Sequence, residues 1–240
     1  MSATSVKKHK ICFVLPAYNE AGVIKPVVSK LDSLLKKKPF DYQIVVVDDG
    51  SKDSTAAAAA IKGVHVIKHI VNVGSGGATA TGLSYAQQNG FTIAATMDAD
   101  GQHEPGDVIK GVELMLKNQA DLLIGSRLID SEGMSRVKVL GNRGLSFITL
   151  LIFGVNITDS QSGLRIFSKQ ALDRLKWKTS GYEFCSEMLW RARQKGLIIK
   201  EYPIKAVYTD YSTSKGQNNW NAVNIIKSLL QRRLMELFGE

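Results

Sequence analysis

The sequence is poor in cysteine: Cys12 and Cys185 are the only two in 240 residues. They lie too far apart for a short metal-binding spacing, which argues against a disulfide-stapled secreted domain and a thiolate metal site. Both are read as reduced thiols of a cytoplasmic protein. The first ten residues are polar and basic and lack the apolar core of an export signal. Long apolar runs are missing as well: the longest uncharged apolar stretch, residues 144–157, falls short of the roughly 20 residues that a membrane-spanning helix requires. No internal repeat and no linker interrupts the chain, so residues 1–240 are expected to form one domain.

What is present is a globular composition, 44% hydrophobic and 22% charged, with a formal net charge of +9. That surplus favours anionic partners, whether nucleotide, phospholipid surface, phosphorylated acceptor or nucleic acid, without choosing among them. Runs rich in valine and isoleucine recur at residues 11–15, 44–47, 64–67, 93–97 and 122–124, each short enough for a strand. Amphipathic segments at 21–35, 55–61, 78–88 and 108–116 alternate with them. Strand alternating with helix predicts an α/β fold, a mostly parallel central sheet covered by helices on both faces. After about residue 127 the chain is less regular, with a helix expected over 183–194, a strand over 198–203 and an amphipathic terminal helix over about 220–238.

In such sheets ligands bind beyond the carboxyl ends of the strands, and three polar clusters fall there. Pro16-Ala17-Tyr18-Asn19-Glu20 follows the first strand, Asp48-Asp49-Gly50-Ser51 the second and Asp98-Ala99-Asp100-Gly101-Gln102-His103 the fourth. Asp98 and Asp100 alternate, so in an extended chain their carboxylates face opposite ways. A bend at Gly101 would let both meet one divalent cation, with Gln102 adding a neutral oxygen. Such an ion neutralises a departing diphosphate. The same triplet also reads as an ordinary turn, or as a cap for a helix starting near Pro105. Asp48 and Asp49 are placed to accept hydrogen bonds from a nucleobase or ribose, or else to cap a helix beginning near Ser54. Glu20 can touch a ribose or close a cap after Asn19. Gly74-Ser75-Gly76-Gly77 opens a helix in the manner of a phosphate cradle, without the Lys-Ser/Thr ending of a nucleotidase loop.

Pro16-Ala17-Tyr18-Asn19-Glu20, Asp48-Asp49-Gly50-Ser51 and the segment from Asp98 to Pro105, followed by Gly125-Ser126-Arg127 and Asp159-Ser160-Gln161-Ser162-Gly163-Leu164-Arg165, occur in an order that resembles the inverting family 2 glycosyltransferases. The likeness is to the polyprenyl-phosphate, dolichol-phosphate mannosyltransferase-like branch and spans about residues 10–216. It implies the GT-A nucleotide-diphospho-sugar transferase fold, with a donor-binding half over about 10–126 and an acceptor-binding half over about 127–216. It further implies Mg²⁺ or Mn²⁺ on Asp98, Asp100 and Gln102, and a UDP- or GDP-sugar donor whose nucleoside is lined by Pro16, Tyr18, Glu20 and Asp49, beside Asp48. Arg127 and Arg143 match the positions that grip a polyprenyl phosphate, a task suited to two-pronged guanidinium groups, although both also read as solvated surface arginines. Lys215 matches a late basic residue that reaches the donor diphosphate, but Thr209-Asp210-Tyr211 stands where relatives often carry an arginine. The branch also implies peripheral association with the cytoplasmic membrane face, alone or through a membrane-protein partner.

A lipid phosphate is already ionised at neutral pH and needs no catalytic base, so alignment and charge neutralisation suffice. A saccharide or glycolipid hydroxyl requires a carboxylate base, for which Asp159 is the candidate, although it also suits a turn. Trp220, Val223, Ile226, Leu230, Leu234 and Leu237 recur at helical spacing among Lys227, Arg232 and Arg233, a face for an anionic membrane or for the protein's own core. Residues 147–153 are a second candidate for lipid contact. A catalytically silent nucleotide-binding scaffold is the reading from another class, opposed by the intact Asp98, Asp100 and Gln102. Nucleotidyltransfer lacks its glycine-rich loop after the first strand, and nucleic-acid binding explains the charge but not the acidic rim.

Overall fold

The computed structural model describes residues 9–117 and 120–207, together with Lys227, Leu229, Leu230 and Arg233. Within them one sheet holds seven strands: β1 (Lys10–Ala17), β2 (Asp41–Asp48), β3 (Val64–Lys68), β4 (Ile93–Thr96), β5 (Leu122–Ser126), β6 (Arg165–Ser168) and β7 (Ile199–Pro203). Their order is β3-β2-β1-β4-β6-β5-β7. All run the same way except β6, which is antiparallel to both β4 and β5. The sheet is thus mostly parallel, as the alternating pattern predicts.

Among residues 9–117 and 120–207 the helices that flank it are α1 (Ile24–Leu35), α2 (Thr55–Ala59), α3 (Ser75–Gln88), α4 (Pro105–Lys117), α5 (Arg136–Phe153), α6 (Lys169–Arg174) and α7 (Phe184–Gln194). β1 shows why its sequence is apolar without interruption. Ile11, Phe13 and Leu15 enter the core shared with α1 and α4, whereas Cys12 and Val14 enter the one shared with α3, α6 and α7. A strand buried on both faces has no polar positions to alternate with. α1 buries Ile24, Val28, Leu31 and Leu35, a single stripe of three- and four-residue steps.

Three elements depart from the sequence expectation. α5 spans 18 residues of the half read as irregular, yet its buried residues are Ser146, Thr149 and Phe153, so its apolar residues do not mark an inward face. β6 has only four residues and begins on an arginine, and α6 has only six. The expected terminal helix over about 220–238 lies outside the described residues apart from the four positions named above, and Lys215 lies outside them altogether.

The buried arginine at the head of β6 explains how so short a strand is held. Arg165 is 1% exposed. Its Nε donates to the Ser162 carbonyl at 2.9 Å, Nη2 to the Ser160 carbonyl at 2.9 Å and Nη1 to the Cys185 carbonyl at 3.3 Å. One cation therefore stitches the turn before β6 to the first turn of α7. Replacing Arg165 with methionine strands the Ser160 and Ser162 carbonyls in the turn and is expected to lower unfolding stability by at least about 2 kcal/mol, measured by urea denaturation. A loss within about 0.5 kcal/mol, the scale of an ordinary surface change, would contradict this role.

Candidate active site

Because six strands share one direction, β1, β2, β4 and β5 all end on the same rim. Since β6 runs the other way, the turn that leads into it, residues 158–164, arrives at that rim too. The antiparallel strand is what carries the Asp159 segment to Asp98.

After β1, Asn19 adopts a left-handed conformation, φ 55°. Its N–H donates to Ser51 Oγ at 2.9 Å and its Oδ1 accepts from the Lys52 N–H at 2.9 Å, while the Glu20 N–H donates to Thr55 Oγ1 at 2.8 Å. The loops after β1 and β2 are thereby laced together, leaving Tyr18 40% exposed at the edge, Pro16 half-buried and Glu20 buried. The start of α2 is served by Asp53, which accepts from the Thr55 N–H at 3.0 Å, so Asp48 and Asp49 are not needed as its caps. Asp48 is fully buried and accepts from the Ser51 N–H at 3.0 Å. Asp49 accepts from the Val73 N–H at 3.0 Å and the Gly74 N–H at 2.8 Å, and meets His69 Nδ1 at 2.7 Å. Both carboxylates thus shape the wall beside the loop at residues 69–74. Within Gly74-Ser75-Gly76-Gly77 the Gly74 N–H is engaged by Asp49 and the Gly76 N–H by the Ser180 carbonyl at 2.7 Å, so two of the donors that a phosphate cradle would offer are already occupied.

Beyond β4 the chain turns at residues 99–100, and Gly101 takes φ +81°, a conformation side chains rarely adopt. Asp100 Oδ1 accepts from the Gln102 N–H at 2.9 Å, which closes the bend. The bend required for Asp98 and Asp100 to meet one ion is therefore present. His103 lies beneath it, its side chain 1% exposed. The Asp98 N–H donates to His103 Nδ1 at 3.1 Å, so Nδ1 carries the lone pair and the ring proton sits on Nε2. Burial, and then the charge of Arg127, push the His103 pKa down to about 4, which keeps the ring neutral.

The two aspartates strain against their setting. Crowding by protein raises the pKa of Asp98, opposed by Arg127 and Arg165, even though 48% of its side chain remains open to solvent through the cleft mouth. Asp100 is raised to about 6 by burial and then by the charge of Asp98. Asp98 and Asp100 are two hard oxygen donors that repel one another, a repulsion that a divalent cation would relieve, and half-buried Gln102 follows them in the bend. Gly163 approaches so closely that a Cβ there would lie 2.2 Å from Asp98 Oδ1.

The cationic side of the cleft begins where β5 ends. Arg127 donates through Nε to Asp159 Oδ2 at 2.8 Å and through Nη2 to Asp159 Oδ1 at 3.0 Å, and its N–H adds a third bond at 3.2 Å. Asp159 is fully buried. The structure therefore brings together Asp98, Asp100, Gln102, Arg127 and Asp159, with Glu20 close enough to act on the acids electrostatically. Arg143 stands apart, exposed on α5, with no bond to this cluster. Sequence reasoning gave no role to His103, Gly163, Glu201 or Tyr182. Tyr182 is half-exposed, and its hydroxyl pKa is raised by burial and then by the charges of Asp98 and Asp100. His103 and Gly163 lay within motifs that the sequence had marked and Glu201 within the strand expected over 198–203, whereas Tyr182 lay in neither.

Residues 12–176 match the family described as Glycosyl transferase family 2. The chain is 40% identical over 247 aligned positions to a UDP-N-acetylglucosamine–dolichyl-phosphate N-acetylglucosaminyltransferase of Methanococcus voltae, covering 93% of this chain and 96% of that one. It is 29% identical to an undecaprenyl-phosphate mannosyltransferase of Micrococcus luteus, covering 86% and 87%. Among solved structures it resembles glucosyl-3-phosphoglycerate synthase of Mycobacterium tuberculosis in complex with Mn²⁺, UDP and glucosyl-3-phosphoglycerate. There the TM-score is 0.72 at 20% identity, covering 94% of this chain and 80% of that one, a likeness of fold. The GT-A architecture expected from the sequence is thus the architecture observed.

Replacing Gly163 with alanine pushes a methyl group into the Asp98 carboxylate and is expected to weaken Mn²⁺ binding about tenfold or more, as read by titration calorimetry. Unchanged affinity would mean that Asp98 does not hold the ion.

Proposed function

We propose that this chain, which belongs to glycosyl transferase family 2 and is a glycosyltransferase, moves a hexose or N-acetylhexosamine from a UDP- or GDP-sugar to a polyprenyl phosphate. Transfer inverts the anomeric centre, uses Mg²⁺ or Mn²⁺ and takes place at the cytoplasmic membrane face.

The observation that carries this reading is the engagement of Asp159. A hydroxyl acceptor needs a general base within hydrogen-bond reach of its proton. Asp159, the base candidate, is fully buried and bound on both oxygens by Arg127. A phosphate acceptor brings no proton that must be removed. One of its oxygens attacks the anomeric carbon, the bond from that carbon to the donor diphosphate breaks, and the electron pair leaves with the nucleoside diphosphate. Arg127 aligns the incoming phosphate, and Arg143 joins it where the acceptor enters. Asp98, Asp100 and Gln102 would hold the cation, which supplies charge neutralisation to the departing diphosphate. Pro16, Tyr18 and Glu20 flank the nucleoside, on a wall that Asp48 and Asp49 keep in shape. Lys215 is assigned to the donor diphosphate by resemblance. Relatives named for dolichyl and undecaprenyl phosphate acceptors support the same choice.

A lipid acceptor calls for a membrane-facing surface, and α5 offers one. Among the described residues no helix is long and apolar enough to cross a membrane. Yet Val137, Leu140, Phe147 and Leu151 are 77%, 75%, 58% and 68% exposed. They fall on one stripe at helical spacing, with Arg136, Lys138 and Arg143 exposed along the same helix. Apolar insertion with cationic neighbours is the pattern of a helix lying in an anionic interface.

Purified protein given Mn²⁺, undecaprenyl phosphate and a panel of UDP- and GDP-sugars is expected to yield a lipid-linked sugar; product formed only on a saccharide acceptor would contradict the reading. Leu140→Asp with Phe147→Asp is expected to weaken binding to anionic phospholipid vesicles at least about tenfold in a sedimentation assay. Undiminished binding would remove α5 from the membrane contact.

A further inference from the structure

Arg127 does not choose its own position. Its guanidinium lies against Asp159, and the placement of Asp159 is decided one strand further out. Glu201 sits on the edge strand β7, whose parallel register sets it opposite Ile124 of β5, two residues before that strand ends at Ser126. Its carboxylate reaches over the end of β5 to the turn at residues 158–159. Oε1 accepts from the Thr158 N–H at 3.0 Å, from Thr158 Oγ1 at 2.8 Å and from the Asp159 N–H at 3.2 Å, and Oε2 accepts from the Thr158 N–H at 2.9 Å.

The direction of the hydroxyl bonds follows. An ionised carboxylate only accepts, so Thr158 donates to Glu201 and must accept from Ser126 Oγ, which lies 2.6 Å away. Ser126 Oγ in turn accepts from the Leu128 N–H at 3.2 Å, on the far side of Arg127. The carboxylate of Glu201 therefore governs both ends of the link: the turn that carries Asp159, and the bend that carries Arg127. Neither Asp98 nor Asp100 belongs to this chain of bonds.

We infer that Glu201 is a positioning residue for the acceptor phosphate, acting on Arg127 through Thr158 and Asp159 and leaving donor binding to the opposite side of the cleft. The inference rests on the phosphate-acceptor reading above. An edge strand needs no acid at this position for its own pairing, since a side chain takes no part in the backbone ladder. Bonds to an ionised acceptor are also stronger and more directional than those to a neutral amide, and glutamine offers one oxygen where four donor contacts now converge.

The test uses the full chain with Mn²⁺, its preferred nucleotide sugar and undecaprenyl phosphate in detergent micelles. Glu201→Gln is expected to raise KM for the lipid phosphate at least tenfold, to lower kcat less than threefold, and to leave the calorimetric affinity for nucleotide sugar within twofold of wild type. Thr158→Val, which keeps the carboxylate but removes the hydroxyl link, is expected to raise the same KM by a smaller factor. In an Arg127→Ala background Glu201→Gln is expected to add nothing, because the group it positions is gone. Unchanged acceptor KM would overturn the inference. So would a parallel loss of donor affinity, or a full additional penalty in the Arg127→Ala background, since each marks a general structural role. Absence of any lipid-linked product from the wild-type protein would instead refute the acceptor assignment itself.

Discussion

The cationic side of the site depends on one ion pair, between the buried carboxylate of Asp159 and the guanidinium of Arg127. A fully desolvated carboxylate is tolerable only when its charge is matched and its lone pairs are filled, and here three donors of one residue fill them. That pairing occupies both oxygens that a base would need free and sets a guanidinium beside the acids in the same stroke. The chemistry proposed for the site follows from it: an acceptor that needs alignment by positive charge and no deprotonation.

Sheet topology makes the pair possible. Arg127 follows β5 and Asp159 precedes β6, and the two strands are neighbours only because β6 is inserted antiparallel between β4 and β5. The same insertion lays Gly163 against Asp98 and aligns Thr96 of β4 with Arg165. Acid and base thus stand across a short span: Asp98 and Asp100 beyond β4, held from beneath by neutral His103, and Arg127 beyond β5. The carboxylates repel one another, and Arg127 and Arg165 relieve that repulsion in part for Asp98. What remains is a demand for a cation, which a nucleoside diphosphate arriving with its metal would meet.

Much of this was legible in the sequence, for reasons that can be stated residue by residue. β1, β2, β4 and β5 announce themselves because strands buried on both faces admit no polar interruption, as Ile11 to Leu15 illustrate; β3, none of whose residues is buried, showed only through Val64, Val66 and Ile67. The acids at the ends of β2 and β4 stood out because a carboxylate following such a run must end at the rim. α5 was missed because Ser146 and Thr149 share its inward face with Phe153 while Leu140, Phe147 and Leu151 lie exposed on the other side, which blurs the usual pattern. β6 was missed because four residues opening on a buried arginine resemble no strand. The partnership of Arg127 with Asp159, and of Thr158 with Glu201, spans 32 and 43 residues and leaves no trace in spacing. From the sequence Asp159 read as either a base or a turn residue, and spacing alone could not reveal the guanidinium that holds it.

The most direct test compares steady-state kinetics of the wild-type protein and Asp159→Asn with polyprenyl phosphate as the varied substrate. The account predicts that the substitution loosens Arg127, so that acceptor KM rises while kcat at saturating acceptor stays within about tenfold of wild type. A fall in kcat of about 10²–10⁴, the usual contribution of a general base, with acceptor KM unchanged, would contradict it.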